Sequence, residues 1–445
     1  MDAGRCELRP RETALSQSLA AAASSGKATL PRHHNVSYGV CNRCCYGRCF
    51  MSCTYTRPLD GFRVLDFSQN VAGPLAGQVL VDLGAEVIKI EAPGGEAARR
   101  IVSVLPDRKP LATYFLPNNR GKKSVVVDLG TDDGKDAVLR LADTADVVLE
   151  SFRPGVMERL GLGPKILQTR NPKLIYARLS AYGANGVNSN RPGLDLLVQA
   201  EAGMTTGMRR TNGAPQIIPF QLVDGASGHV LAQAVLAALL NRERHGVADV
   251  VQVAMYDVAV SLQANQLTLH LNKVQKPDLP GQAISSDPSR KPRKQVAFAT
   301  QPSEAFRAAD GYLVLSAYVP KHWTRLCEVI GRPELIVDPR FIDQPARAIN
   351  FEDLRVELET ALASKPAEQW VKLLHQSGLM ATIAHNWKQV VSTPLFAENE
   401  LAVNIGDLKV VRTPARYHSF EPAGDSPPPY VGQHNGEFFT TGEAL

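Results

Sequence analysis

The sequence predicts an α/β protein with a large Rossmann-like domain around a parallel sheet, followed by a smaller α+β domain. Three observations support this prediction. Short apolar strand patterns alternate with helical patterns through the first half of the chain, which is typical of a parallel sheet covered on both faces. The 445 residues are enough for about two or three domains. A hydrophobic content of 44% with 21% charged residues is ordinary for a globular protein.

The first 56 residues differ in composition from the rest of the chain. Six of the seven cysteines fall here, at Cys6, Cys41, Cys44, Cys45, Cys49 and Cys53. A zinc site on Cys41, Cys44, Cys49 and Cys53 is one interpretation, although the spacing is short for paired zinc knuckles. A transit peptide is another, because the segment is rich in Arg and Ser. We favour a disordered extension, or one that arises from an upstream start codon with Met51 as the natural start, and we predict no metal site.

Strand and helix patterns alternate from residue 57 to residue 271. The first βαβ unit has strands at 63–67 and 86–91 around a helix at 74–83, with Pro74 at the first helical position and Gly84 after the last. Further strands are expected at 124–129, 146–150 and 173–179, with helices at 132–142 and 155–160. The ligand crevice of such a sheet lies at the carboxyl ends of its strands.

The second half of this region centres on one long helix. A helix near 194–204 and an extended stretch at 216–223 precede it, and the long helix itself is expected at 227–242. Its middle is apolar on every side, which indicates a centrally buried helix. Residues 272–296 are expected to be a linker and 297–395 a small domain. Residues 396–445 are expected to return to the large domain.

The charge distribution limits the classes of partner. The first 57 residues carry eight basic and three acidic side chains, which accounts for the formal net charge of +5, so the rest is neutral. A neutral body argues against nucleic acid as a partner. No uncharged apolar run reaches the roughly 18 residues of a membrane helix, so we expect no membrane partner. With one cysteine after residue 53, we expect a cytoplasmic protein, or a mitochondrial one if the extension is a transit peptide.

One alternative is an NAD-dependent oxidoreductase. Glu91 ends the second strand 18 residues after Gly73, where a dehydrogenase places the acid that binds a ribose hydroxyl. The glycine fingerprint is absent, however, and Pro74 cannot donate a backbone N–H to a pyrophosphate. Gly73 and Gly77 are as well explained by close helix packing.

The segment 219–228 carries the main candidate for chemistry. Asp224 lies between the extended stretch and the long helix, so on the residues alone it is most simply a helix cap. The functional interpretation is a carboxylate nucleophile. In that case Gly225 and Gly228 would leave backbone amides open beside it to stabilise negative charge.

Residues 57–271 resemble the class III CoA-transferases, a family that includes formyl-CoA transferase, carnitine-related CoA-transferases and α-methylacyl-CoA racemase. The most specific match is Glu150-Ser-Phe-Arg-Pro-Gly155 followed by Arg159-Leu-Gly161. Other matches are at 58–67, 72–74, 84–91, 122–124, 239–246, 251–257 and 431–435. The resemblance implies an interlocked homodimer, in which each chain threads through the other.

The resemblance also implies a reaction. Asp224 occupies the position of the family's nucleophile, which receives CoA from an acyl-CoA thioester as an aspartyl thioester and passes it to a carboxylic acid. Acyl-CoA esters and carboxylic acids are then the small-molecule partners, and no tightly bound cofactor is expected. The racemase branch instead uses a histidine where this chain has Leu194, which argues for the transferase. Asp195 is either a carboxylate that lines the active site, together with Gly225, or the N-cap of its own helix.

Six positions match the family's CoA contacts: Val71, Ala72, Ser151, Phe152, Arg153 and Arg159. The two arginines suit phosphate geometry, but arginine is also common on solvated surfaces. Val71 replaces the glutamine of formyl-CoA transferase and Ala92 replaces a frequent arginine, which argues against formyl or oxalyl substrates. The family's glycine-rich loop is not visible at 272–300. A catalytically silent CoA-binding or scaffold protein is a further alternative.

Overall fold

A six-stranded parallel sheet forms the centre of the large domain. The computed structural model describes residues 57–101, 112–208, 214–272 and 301–439. The strands are β1 Arg63–Asp66, β2 Glu86–Glu91, β3 Lys123–Val126, β4 Val147–Glu150, β5 Ile175–Ser180 and β6 Val250–Ala254. Their order is β3-β2-β1-β4-β5-β6, and every neighbouring pair is parallel. The predicted Rossmann-like parallel sheet is therefore confirmed.

Helices cover both faces of this sheet. They are α1 Ala72–Asp82, α2 Leu116–Asn119, α3 Asp132–Ala142, α4 Val156–Arg159, α5 Pro164–Arg170, α6 Asp195–Glu201, α7 Leu222–His245, α8 Met255–Ser261 and α9 Ala264–Leu271. Short 3₁₀ helices occur at Ala97–Arg100 and Met204–Gly207. Val64 packs into the core beside α1 and α7, whereas Leu65 packs into the core beside α3 and α5. Because successive strand residues face opposite sides, both must be apolar.

The strand order places a ligand crevice. The chain runs from β1 outward to β3, and then crosses back so that β4 pairs with the other side of β1. The carboxyl ends of β1 and β4 therefore flank the point where the strand order reverses, which is where open α/β sheets bind ligands. The loops after Asp66 and after Glu150 form this crevice.

The long helix differs from its prediction in two respects. Helix α7 begins at Leu222 rather than at residue 227, and it ends before Gly246, which is left-handed with φ 71°. It is not buried on every side, since Val230 and Leu240 are 37% and 56% exposed. Its length and a hydropathy of 1.4 over 18 residues would also fit a membrane span, but a core helix has the same properties, and 44% of that window is buried in the fold.

Helix α7 packs closely on α1. A Cβ atom at Gly228 would lie 2.7 Å from the Ala72 carbonyl oxygen, so only glycine allows this approach. Helix α1 begins two residues earlier than predicted, at Ala72, and α5 was not predicted at all. The crossing brings the first turns of α7 next to the amino end of α1 and therefore next to the crevice.

A smaller antiparallel sheet lies in the second half of the chain. It consists of β7 Ser303–Arg307, β8 Tyr312–Ser316 and β9 Met380–Ile383. Its helices are α10 Pro320–Val329, α11 Gln344–Ile349, α12 Phe351–Leu362 and α13 Ala367–Gln376, with a 3₁₀ helix at Pro333–Ile336. A separate core around Trp323, Leu358 and Trp370 holds these elements together.

The chain then returns to the large sheet. It passes through α14 Trp387–Val390, α15 Pro394–Glu398, the hairpin of β10 Ala402–Ile405 and β11 Leu408–Val411, and α16 Asn435–Phe438. Along the edge of β3, the His434 N–H donates to the Ser124 carbonyl oxygen at 2.9 Å. The Asn435 side chain accepts from the Val126 N–H at 2.9 Å. These contacts satisfy backbone groups that an edge strand would otherwise leave unpaired.

Candidate active site

Asp224 is the third residue of α7 and therefore does not cap it. Gln221 is the N-cap residue, and it makes no capping bond with its side chain. The cap comes instead from Asp195, whose Oδ2 accepts the N–H groups of Val223 at 2.7 Å and of Asp224 at 2.9 Å. The interpretation of Asp224 as a cap is wrong, because a residue 29 positions earlier in the chain already satisfies these donors.

Asp195 is likewise not the N-cap of its own helix. It is the first residue of α6, which has Leu194 as its N-cap. The fully buried Gln199 amide donates to Asp195 Oδ1, and its Oε1 accepts the Ile218 N–H at 2.9 Å. Gln199 therefore fixes both the Asp195 carboxylate and the segment that leads into α7. Gln199 was not predicted from the sequence, although it lies one helical turn after Asp195.

The electrostatic setting of Asp224 is unusual for a carboxyl group. Burial, followed by the negative charge of Asp195, raises the pKa of Asp224 from 3.8 to about 7. Burial disfavours the charged form, and a nearby like charge does the same. A carboxylate with a raised pKa is a stronger base and nucleophile once it is ionised. Perturbed carboxyl groups of this kind cluster at functional sites.

The backbone amides around Asp224 are not open, contrary to our expectation. The Leu222 N–H donates to the Phe220 carbonyl oxygen at 2.8 Å, and the Gly225 N–H donates to the Gln221 carbonyl oxygen at 2.9 Å. The N–H groups of the two residues between Leu222 and Gly225 donate to Asp195 Oδ2. Gly225 is beside the nucleophile candidate as predicted, but its role is not to expose an amide. A Cβ atom at Gly225 would meet nothing within 4 Å.

The crevice brings together three of the predicted CoA contacts. The Gln69 N–H, in the turn before Val71 and Ala72, donates to Ser151 Oγ at 3.1 Å. This bond joins the turn after β1 to the loop after β4. Ala72 in turn faces Gly228, one helical turn beyond Asp224. The candidate CoA turn and the candidate nucleophile are therefore neighbours in the structure.

The other three predicted CoA contacts follow Ser151 along the same loop. Phe152 is half-buried, and its N–H donates to Glu150 Oε2 at 2.8 Å. Arg153 and Arg159 are exposed, so their proposed phosphate contacts stay a prediction. The loop is supported from below by Arg178, which the sequence analysis did not identify. Its guanidinium bonds Glu150 and Glu158, each at 2.6 Å.

Glu91 cannot act as the ribose acceptor of a dinucleotide-binding fold. Arg99 donates to both of its oxygens, at 2.8 and 2.5 Å, and the Ser124 hydroxyl donates to Oε1 at 2.7 Å. A carboxylate with both oxygens engaged inside the protein has no free position for a ribose hydroxyl.

The structure supports close packing of α1 as the reason for Gly73 and Gly77. A Cβ atom at Gly73 would lie 2.3 Å from that of Ser68, and one at Gly77 would lie 3.0 Å from Asp66 Oδ2.

No group of three or more His, Cys, Asp or Glu side chains in the described ranges is arranged to hold a metal ion. The candidate zinc ligands Cys41, Cys44, Cys49 and Cys53 lie outside these ranges, as do residues 273–300, which include most of the expected linker.

Comparison with known proteins identifies the family to which the chain is similar. Residues 59–435 match the model of CoA-transferase family III. A probable fatty acyl-CoA transferase of Mycobacterium tuberculosis is 69% identical over 386 residues, which cover 86% of this chain and 97% of the relative. A crystal structure of that protein superposes with a TM-score of 0.77 at 67% identity, covering 86% of this chain and 99% of the other. A succinyl-CoA:mesaconate CoA-transferase of Haloarcula hispanica is 31% identical, covering 85% and 95%.

Proposed function

Because this chain belongs to CoA-transferase family III, we propose that it moves CoA from an acyl-CoA thioester to a carboxylic acid through an aspartyl-CoA thioester on Asp224. The observation that carries this proposal is the setting of Asp224. It lies in the first turn of α7 beside the CoA crevice, it is held by Asp195, and its pKa is raised to about 7. A helix cap would need none of these features.

The reaction follows from a carboxylate nucleophile. The ionised Asp224 attacks the thioester carbonyl, the C–S bond breaks, and CoA leaves as a thiolate from a mixed anhydride. The thiolate then attacks the Asp224 carbonyl and expels the donor acid as its carboxylate. The acceptor carboxylate attacks the resulting aspartyl thioester, and the released thiolate attacks the acceptor carbonyl. Asp224 is regenerated as a carboxylate, so protons, charge and bonds balance.

Asp195 supports this chemistry in two ways. It fixes the first turn of α7 through the Val223 and Asp224 amides. Its negative charge also contributes to the raised pKa of Asp224, which makes the ionised carboxylate more nucleophilic. The racemase alternative gains no support, since Leu194 next to it is an aliphatic side chain, 58% exposed, that cannot transfer a proton.

The relatives suggest which substrates to test first. One is named a probable fatty acyl-CoA transferase and another a succinyl-CoA:mesaconate CoA-transferase. We therefore propose fatty acyl-CoA or succinyl-CoA as the donor, and Val71 and Ala92 argue against formyl and oxalyl groups. The test is a matrix of fatty acyl-, succinyl-, formyl- and oxalyl-CoA donors against mono- and dicarboxylic acceptors. Transfer by the wild-type enzyme and none by Asp224→Asn supports the proposal, whereas transfer by Asp224→Asn contradicts it.

We also propose that the protein is a homodimer and that it is cytoplasmic. Large apolar side chains of α6 to α9 are solvent-exposed in the single chain: Leu194, Leu196, Leu197, Leu240, Leu262 and Leu271, each between 43% and 80% exposed. Exposed apolar side chains are typical of an interface with another protein where they form a contiguous patch. We propose that a second copy of the chain covers these side chains, as in the interlocked homodimer that the family resemblance implies.

A further inference from the structure

A buried cluster of six charged side chains lies beneath the turn that follows β1. It contains three acidic and three basic residues, none of them more than 6% exposed: Asp66, Glu91, Glu96, Lys89, Arg99 and Lys122. Its formal charges cancel. Buried charges are costly unless each is paired and hydrogen-bonded, so a cluster of this size needs a structural or functional reason.

Three members of the cluster hold the backbone of this turn directly. Asp66 Oδ1 accepts the Ser68 N–H at 2.9 Å. Lys89 Nζ donates to the Ser68 carbonyl oxygen at 2.9 Å. Glu96 Oε2 accepts the Asn70 N–H at 3.1 Å. The two side chains pair with each other, with Lys89 Nζ 3.2 Å from Glu96 Oε1. Residues 68–70 are therefore held from below by this ion pair together with Asp66.

The turn adopts a conformation that needs such support. Asn70 has φ 67°, in the left-handed region that few residues other than glycine adopt. It immediately precedes Val71 and Ala72, the predicted CoA contacts. A residue in this region persists only when its surroundings over-determine its conformation, and this happens most often at functional sites.

The ion pair is itself anchored to the sheet and to the C-terminal segment. The Glu96 N–H donates to Glu91 Oε2 at 3.1 Å, and the Ser124 hydroxyl donates to Glu91 Oε1 at 2.7 Å. The Gly432 N–H then donates to Ser124 Oγ at 3.0 Å. A continuous chain of hydrogen bonds therefore runs from the C-terminal segment to the turn.

We propose that Lys89 and Glu96 are positioning residues that hold residues 68–71 in the shape that receives the uncharged pantetheine arm of CoA. This proposal rests on the proposed function, since it takes CoA as the substrate. The turn is poorly suited to the diphosphate. The Gln69 and Asn70 N–H groups are already bonded within the protein, and the cluster below them is neutral. The phosphates are then left to exposed cations such as Arg153 and Arg159.

The test compares CoA with its nucleotide half, adenosine 3′,5′-bisphosphate, in Glu96→Ala. Titration calorimetry should show CoA binding weakened by about tenfold or more, the loss expected when a hydrogen bond to a charged group is removed. Binding of adenosine 3′,5′-bisphosphate should stay unchanged, because it lacks the pantetheine arm. Glu96→Gln keeps an acceptor for the Asn70 N–H and should restore most of the CoA affinity. In turnover, KM for acyl-CoA should rise while kcat changes little.

Asp82→Asn is the matched control. Asp82 forms a buried ion pair with Arg120 at 2.7 Å, at the far end of α1 from the turn. This substitution breaks the ion pair and should change thermal stability without changing either affinity. If Glu96→Ala also changes only stability, or weakens both ligands equally, the pair has a general structural role and the proposal is overturned.

A double variant covers the case in which Glu96→Ala fails to fold. Lys89→Met with Glu96→Gln replaces the pair by neutral side chains of similar volume, which folded proteins often tolerate well. It loses the Ser68 contact and should show the same selective loss of CoA affinity, and unchanged CoA affinity would overturn the proposal. Wild-type CoA binding without an adduct on Asp224 would reject the proposed function and leave this binding comparison intact.

Discussion

Replacing Asp224 by asparagine should make the protein more stable at pH 8 while abolishing transfer. The side chain keeps its size and shape and loses only its charge. In the folded protein the pKa of Asp224 is raised from 3.8 to about 7 by burial and by Asp195. An acid whose folded pKa lies above its unfolded pKa destabilises the fold when it is ionised.

The expected stabilisation by Asp224→Asn follows from how far the pKa of Asp224 is raised. A shift of roughly three pKa units corresponds to about 4 kcal/mol if none of it is screened. Asp224 is only partly buried, and an acid in the first turn of a helix is favoured by about 0.3–1 kcal/mol. We therefore expect Asp224→Asn to stabilise by about 1–3 kcal/mol at pH 8, or by a few degrees in thermal midpoint.

The pH dependence of this stability difference identifies the ionised Asp224 carboxylate as its cause. The destabilisation is absent below about pH 4, because Asp224 is then protonated in both the folded and the unfolded state. It grows as the pH rises from about 4 to 7 and is constant above about 7. Thermal midpoints of wild type and Asp224→Asn should therefore coincide near pH 4 and separate by pH 8.

A matched control removes an acid from the first turn of another helix, at a position that is exposed rather than buried. Asp133 is exposed in the first turn of α3, and Asp133→Asn should change stability little and in the unfavourable direction. A lower midpoint for Asp224→Asn than for wild type at pH 8 would show that Asp224 stabilises its helix. The electrostatic account of the site would then be wrong.

Four further predictions concern the same helix and the assembly. The rate of adduct formation should rise with pH and level off above about 7, because Asp224 must be ionised; a flat profile would contradict this. Asp195→Asn should move that profile to lower pH, since it removes the negative charge. Gly225→Ala should raise the thermal midpoint, because alanine adds up to about 1 kcal/mol of helix propensity. Gly228→Ala should lower the midpoint, because its Cβ would lie 2.7 Å from the Ala72 carbonyl oxygen. Equal effects of the two substitutions would contradict the packing of α7 on α1. Light scattering should give twice the chain mass of 48.3 kDa, and a stable monomer would reject the dimer.

Local patterns were sufficient for the elements whose ends are set locally. Strand β2 occupies 86–91 as predicted, because the apolar residues Val87, Ile88 and Ile90 follow closely after the turn at Gly84. Helix α3 occupies 132–142 as predicted, because the Thr131 side chain caps it by accepting the Gly134 N–H at 3.1 Å. Both signals lie within a few residues of the element that they define.

The start of α7 could not be predicted in the same way. Its capping group, Asp195, is 28 residues from Val223 in sequence and meets it only in the folded chain. The local pattern offered Asp224 itself as the cap, which placed the predicted start of the helix after it, at residue 227. The family resemblance named Asp195 and Asp224 as a site, but neither it nor the pattern showed that one caps the helix of the other. The buried cluster beneath the first turn was missed for the same reason, since its members come from β1, from β2, from the 3₁₀ segment and the residue before it, and from the residue before β3.

The central claim is that Asp224 carries CoA covalently. The direct measurement is the mass of the peptide containing Asp224 after incubation with an acyl-CoA donor and no acceptor. The wild-type peptide should gain the mass of CoA less one water and lose it when a carboxylic acid acceptor is added. Asp224→Asn should give no adduct, and Asp195→Asn should still give one. An active enzyme that never shows this adduct, or an active Asp224→Ala variant, would contradict the account.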